Sequence, residues 1–117
     1  MSDGSSVAVP AARELTAFQK NILTVLAEEP RYGLAIKREL EAYYDDEVNH
    51  GRLYPNLDDL VSAGFVEKSA LDKRTNEYGL TDEGLEAVRD DIRFSLEHFA
   101  TDAEREEFVE SVIESTE

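Results

Sequence analysis

This sequence predicts a mainly α (α+β) fold of three helices, a two-stranded β-hairpin and then a long helix. Three observations carry that prediction. Apolar residues recur with helical period through the first half of the chain. Residues 65–69 and 76–80 pair naturally as a hairpin around the charged tetrapeptide Asp72-Lys73-Arg74-Thr75. Beyond it, Leu85, Val88, Ile92, Leu96 and Phe99 follow at spacings of 3, 4, 4 and 3, one apolar stripe on a helix of about 18 residues and about 27 Å.

Each element has a local cause. Residues 1–12 are small, polar and broken by proline, and read as a flexible N-terminal tail. Thr16 with Gln19 forms a capping box that opens the first helix. Phe18, Ile22, Leu23 and Leu26 make its buried stripe, and Pro30 stops it. Tyr32-Gly33 starts a second helix with Ile36, Leu40, Tyr43 and Tyr44 inward or half-inward, broken by Asp45-Asp46-Glu47. In the third, Leu53, Leu57, Leu60 and Val61 share one face. Pro55 lacks the amide an interior position needs, so either the regular helix begins near Leu53 or its first turn is kinked. Gly64 suits the helix C-terminus. Thr81 caps the fourth helix, with Asp82 and Glu83 at its positive end. Thr101 with Glu104 makes a second capping box, opening a final helix that carries Phe108, Val109, Val112 and Ile113.

Composition excludes several classes of function. With 117 residues this is one domain with an appended element. No apolar run is long enough to span a membrane and no signal peptide is visible, so no membrane partner and a cytoplasmic location are expected. The absence of cysteine removes disulfides, thiol catalysis and thiol redox sensing. Two histidines far apart make no metal centre, and no cofactor motif is present. With no nucleophile–base pair or phosphate loop either, the chain does not read as an enzyme.

Net charge is −15, from 27 acids against 12 bases. Such a carboxylate surface suits a protein of a halophile, because at about 1 M salt the Debye length falls to about 3 Å and self-repulsion is weak. An ordinary acidic protein with a solvated face is the alternative. The charge is unevenly placed: residues 1–48 carry net −4, residues 49–79 net −1 and residues 80–117 net −10.

The near-neutral segment is also the one with recognition chemistry. The polar end of the third helix carries Asn49, His50, Gly51, Arg52, Tyr54 and Asn56, a donor-rich helix terminus of the kind that reads a DNA major groove. Each has a plainer reading beside it. Arg52 contacts a guanine or phosphate, or pairs with Asp58 or Asp59. Asn49 contacts a base, caps the helix, or does both. His50 touches phosphate or titrates as a switch, and Gly51 permits close approach to DNA or relieves local crowding. Tyr54 donates to phosphate or packs between helices. Tyr32 and Lys37 stand where the first helix of such a motif crosses the DNA backbone. Lys73 and Arg74 at the hairpin tip make a minor-groove or phosphate contact, or simply a soluble turn.

The element order is that of a winged helix-turn-helix with a C-terminal dimerisation helix. The ordered set Leu15-Thr16, Ile22-Leu23, Pro30-x-Tyr32-Gly33-x-x-Ile36, Gly51-x-Leu53-Tyr54-Pro55-x-Leu57, Leu60-x-x-x-Gly64 and Tyr78-x-Leu80-Thr81-x-x-Gly84 resembles the PadR-like family of transcriptional regulators over roughly residues 15–85. With its acidic composition the chain is most similar to haloarchaeal, stress-responsive members. One departure is a sparser supply of lysine and arginine in the wing and third helix than the family usually carries. The resemblance implies transcription regulation on double-stranded DNA as a homodimer joined through C-terminal helices, often aided by the first helix.

The expected division is therefore a tail over 1–12, a winged helix-turn-helix DNA-binding domain over 13–81 and a helical dimerisation extension over 82–117. Leu85, Val88, Ile92, Leu96 and Phe99 would form the dimer seam, setting two reading helices on a pseudo-palindromic promoter site. Cations of a high-salt medium, taken up by carboxylates near the contact, and an unidentified effector are the further partners expected. A redox signal would have to arrive through another protein, a ligand between the dimer helices or ionic conditions. Tyr43, Tyr44, Phe94 and Phe99 either line a small pocket or pack in the core. The alternative function is a winged-helix protein–protein interaction module without specific DNA binding.

Overall fold

The computed structural model describes residues 14–70, 72 and 74–116. The expected tail over 1–12 and the wing-tip Lys73 lie outside the described residues. In chain order the elements are α1 (Ala17–Glu28), β1 (Arg31–Tyr32), α2 (Gly33–Tyr44), α3 (His50–Ser62), β2 (Val66–Ala70), β3 (Asn76–Leu80), α4 (Asp82–Phe99) and α5 (Ala103–Ser115). This is a winged helix-turn-helix, mostly helical, with a small antiparallel sheet in the order β1-β3-β2.

The capping box opens α1 as its sequence requires: the Thr16 hydroxyl accepts from the Gln19 amide, and the Gln19 side chain accepts from the Thr16 amide. Phe18, Ile22, Leu23 and Leu26 are buried. After Pro30 the chain is extended, and Arg31 and Tyr32 lie opposite Tyr78 and Glu77 of β3. This third strand has no sequence signature, since two residues are too few to show alternation. Arg31 anchors it. Its Nε donates to the Val25 carbonyl and its guanidinium pairs with Glu28 and Glu29 at the end of α1.

Within α2, Gly33, Ile36 and Leu40 are buried and Tyr44 is half-buried. Tyr43 is 72% exposed, against expectation. It stands in the last turn of α2, about 100° of helix from the half-buried Tyr44 and outside the core. Asp45 ends α2 in the left-handed conformation (φ 56°). The turn into α3 is pinned by Glu41, whose Oε2 accepts from Lys37 Nζ at 2.7 Å and from the Val48 amide at 2.9 Å. Val48 itself is buried in the core.

α3 starts at His50 and runs through Pro55 without interruption, earlier than a start near Leu53. An interior proline costs about 3 kcal/mol or more, whereas full burial of a leucine side chain gives about 1.5–3 kcal/mol. Leu53, Leu57 and Leu60 are all fully buried, and together they outweigh the single proline. At its far end Gly64 (φ 87°) donates to the Val61 carbonyl, and the Phe65 amide donates to the Leu60 carbonyl. That pair of hydrogen bonds is the Schellman closure glycine permits.

The hairpin pairs Val66 with Leu80 through Ala70 with Asn76, one residue later on β2 than expected. Thr81 then caps α4 by accepting from the Gly84 amide. Its hydroxyl donates to the Gly64 carbonyl at 2.6 Å, and its amide donates to the Phe65 carbonyl at 3.2 Å. The first turn of α4 lies so close to this junction that a Cβ on Gly84 would stand 2.1 Å from the Phe65 carbonyl oxygen. Ala87 is buried, Val88 packs on the core, and Lys20 of α1 pairs with Asp91 at 3.3 Å. From Asp91 onward every residue of the helix is exposed, and Phe99 touches Phe108 of α5. The cap of α5 is Asp102, which accepts from the Arg105 amide, and Thr101 instead accepts from the Arg105 guanidinium. A carboxylate is the better acceptor at the positive end of a helix dipole. Among the described residues, no helix is long and apolar enough to cross a membrane.

Gly84→Ala is expected to lower stability by about 1–3 kcal/mol, or roughly 4–12 °C in Tm, because the added methyl meets backbone. Calorimetry checks this, and an unchanged Tm refutes it. The Glu41 carboxyl is held below its ordinary value of 4.5, first by the hydrogen bond from Lys37 and then by the Val48 amide. A lowered folded value means this contribution is complete above 4.5 and is lost as pH falls through the folded value. The difference in urea midpoint between wild type and Glu41→Gln should therefore shrink as the solution is acidified from neutrality. A constant difference would contradict the pinning role.

Candidate nucleic-acid interface

α3 turns Leu53, Leu57 and Leu60 inward and leaves Gly51, Pro55, Asp58, Asp59 and Ser62 exposed on the opposite side. Gly51 and Pro55 carry no long side chain, so the first two turns present a flat ridge. Longer side chains flank it. On the α1 side stand Arg52 and Asn56, and on the α2 side stand His50 and Tyr54.

Asn49 caps the helix, its Oδ1 accepting from the Gly51 amide at 2.6 Å, which leaves its side-chain amide free to donate outward. His50 is exposed and stacks on Tyr54, with ring centroids 5.6 Å apart and planes 5° from parallel. The half-buried Tyr54 ring in turn lies against the backbone of Gly33, so it packs between α2 and α3. Arg52 is exposed and makes no ion pair with Asp58 or Asp59. Its guanidinium lies over the Phe18 ring, 3.9 Å from the centroid. Asn56 is half-buried and ties the two helices together, accepting from Gln19 Nε2 at 3.1 Å and donating to the Arg52 carbonyl at 2.8 Å.

Tyr32 is 47% exposed and precedes α2 without capping it. Lys37, only partly exposed, spends its charge on Glu41. In the wing, Asp72 Oδ1 accepts from the amides of Arg74 and Thr75, both at 2.8 Å. Those bonds, the Arg74 amide foremost, hold the Asp72 carboxyl below its ordinary value. The turn is closed by its own aspartate, and Arg74 stands exposed beside it. Behind the wing, Tyr78 is buried at the centre of the sheet, and its hydroxyl pKa is pushed up first by that burial and then by Asp58 and Tyr54.

Charge pairing divides the bases into two sets. Among the described residues, Lys20, Arg31, Lys37, Arg89, Arg93 and Arg105 each have a carboxylate partner. Arg38, Arg52, Lys68 and Arg74 have none, and all four belong to α2, α3, β2 and the wing turn. Arg38 and Lys68 were missed in the sequence, where nothing distinguishes a free base from a paired one. The aromatic residues considered for a pocket fall into separate groups. Tyr43 contacts Tyr44, which stacks on Phe18, while Phe94 contacts His98 and Phe99 contacts Phe108.

Residues 22–90 match the model of the transcriptional regulator PadR-like family. A structure of H. salinarum RosR is 70% identical over 90% of this chain and 96% of that one, with a TM-score of 0.89. The complex structure of hsRosR-S1 is 68% identical over 92% and 96%, also with a TM-score of 0.89. Bacillus subtilis PadR in complex with operator DNA is 23% identical over 67% of this chain and 47% of that one, with a TM-score of 0.56, a likeness of fold alone. No curated protein matches the chain. With a family model covering more than half its length and close relatives over nearly all of it, the chain belongs to the PadR-like family of transcriptional regulators.

Proposed function

We propose that the chain is a sequence-specific DNA-binding regulator, acting as a homodimer on a pseudo-palindromic promoter site in a high-salt cytoplasm. The observation that carries this reading is the placement of the unpaired bases Arg38, Arg52, Lys68 and Arg74 on the helix-turn-helix and wing, while every base of α4 and α5 is already paired. A cation with no partner in the protein is available to phosphate or to a base edge. Membership of the transcriptional regulator PadR-like family supports the same reading. Residues 13–81 are the DNA-binding domain in this proposal, with Asn49, His50, Gly51 and Arg52 at the ridge, Tyr32 along the backbone where Lys37 is already held by Glu41, and Lys73 and Arg74 in the wing.

Residues 82–117 are the dimerisation extension. Ile92 is 53% exposed, Phe99 41% and Phe108 57%, an apolar surface on α4 and α5 that its own protomer leaves open. Leu85, Leu96, Val112 and Ile113 extend it, and Val88 sits at its inner end. A second copy would bury this stripe and place two α3 helices about 34–36 Å apart, one turn of duplex.

Sequencing DNA immunoprecipitated with the chain should return a pseudo-palindrome. On a duplex carrying it, Arg52→Ala should cost about 1–3 kcal/mol and relax preference at one base position. Arg74→Ala should weaken binding to all duplexes alike. Recovery of proteins but no enriched DNA would favour the interaction-module reading. In molar KCl, light scattering should give twice the 13.2 kDa of one chain. Ile92→Asp with Leu96→Asp should return the single mass with helical content kept, and a monomeric wild type would sink the dimer.

A further inference from the structure

We propose that Phe18 is a positioning residue for DNA recognition, its ring holding the Arg52 guanidinium in place beside α3 before DNA arrives. The inference rests on the reading of α3 as the DNA-contacting helix. Phe18 is 5% exposed, and Arg52 lies 3.9 Å above its ring centroid. The ring cannot swing away, because Tyr44 stacks against it at 6.1 Å and the Tyr44 hydroxyl is bonded to Asn21 of the same helix. The Arg52 backbone is fixed from the same side. Thr16 holds Gln19, Gln19 donates to Asn56, and Asn56 donates to the Arg52 carbonyl. One turn of α1 thus fixes both the backbone and the side chain of a single arginine.

The arrangement differs from every ion pair in the molecule. A carboxylate partner would order Arg52 but neutralise it, and in molar salt such an exposed pair is screened. An aromatic face orders the planar fork through close contact and leaves its charge and its outward N–H donors for DNA. The other arginine near a ring, Arg105, lies 5.8 Å from the Phe99 centroid and is also paired with Asp102. Arg52 alone combines ring contact with a free charge among the described residues. Ordering an arginine costs rotamer freedom, and here the free protein has already met that cost.

Nuclear magnetic resonance of the DNA-free chain tests the stack directly. The Arg52 δ-methylene protons should be shifted upfield by the ring, and the Arg52 Nε–Hε order parameter should approach that of rigid backbone while those of Arg38 and Arg74 stay low. Phe18→Leu should abolish both effects and Phe18→Tyr should keep them. On the immunoprecipitated duplex against a scrambled one, Phe18→Leu should lower the affinity ratio roughly two- to fivefold. It should add nothing to Arg52→Ala, and Phe18→Tyr should restore the wild-type ratio. A mobile or unshifted Arg52 in the wild type overturns the proposal, even if Phe18→Leu fails to fold. A folded Phe18→Leu with an unchanged ratio overturns it alone when Arg52→Ala is impaired. If Arg52→Ala also binds normally, the reading of Arg52 as a DNA contact falls with it.

Discussion

The turn from α3 into β2 receives the first turn of α4 through backbone atoms. Thr81 makes the contact, donating from its hydroxyl to the Gly64 carbonyl and from its amide to the Phe65 carbonyl while capping Gly84. Gly84 lets the two segments approach where any side chain would collide with the Phe65 oxygen. Three parts of the molecule meet here: α3 ends, the wing begins and α4 departs. Backbone-to-backbone contact has little freedom to slide, so the direction of α4 relative to α3 is set at this point. In a dimer built on α4, that direction would decide the distance between the two reading helices.

A second constraint is electrostatic. Twenty-seven acids on a 117-residue chain would repel DNA if they were spread evenly, but residues 80–117 hold the largest share of the excess. The bases of that segment are each matched to a carboxylate on the same helix, three residues away. Such pairs contribute little to stability and less in salt. Their consequence lies in what remains, since the bases left unpaired belong to the helix-turn-helix and the wing. Asp58 and Asp59 stand on the exposed face of α3 just beyond its first two turns.

Much of the fold was legible because its signals are local. The Thr16–Gln19 capping box, the Asn49 and Thr81 caps and the glycine after α3 each act within four residues of themselves. The buried stripe of α1 followed from period alone. What was misread depended on competition. Thr101 had the right sequence for a cap, but Asp102 beside it was the stronger acceptor. Pro55 left a start near Leu53 open beside an earlier one, and the three buried leucines carry the helix from His50. The strand β1 exists only because β3 lies beside it.

The sequence by itself determined the order of elements, the near-neutral character of the third helix and the unusual apolar stripe beyond residue 84, because period, caps and charge are properties of neighbours along the chain. Only the tertiary structure decided which polar groups at that helix were already engaged. Asn56 is held by Gln19, Tyr54 lies on Gly33, Lys37 is paired with Glu41, and Arg52 rests on Phe18. Except for Lys37, each of these partners lies tens of residues away along the chain. Whether a donor is free to meet another molecule depends on what the fold brings within a few ångströms of it, and no spacing along the chain encodes that.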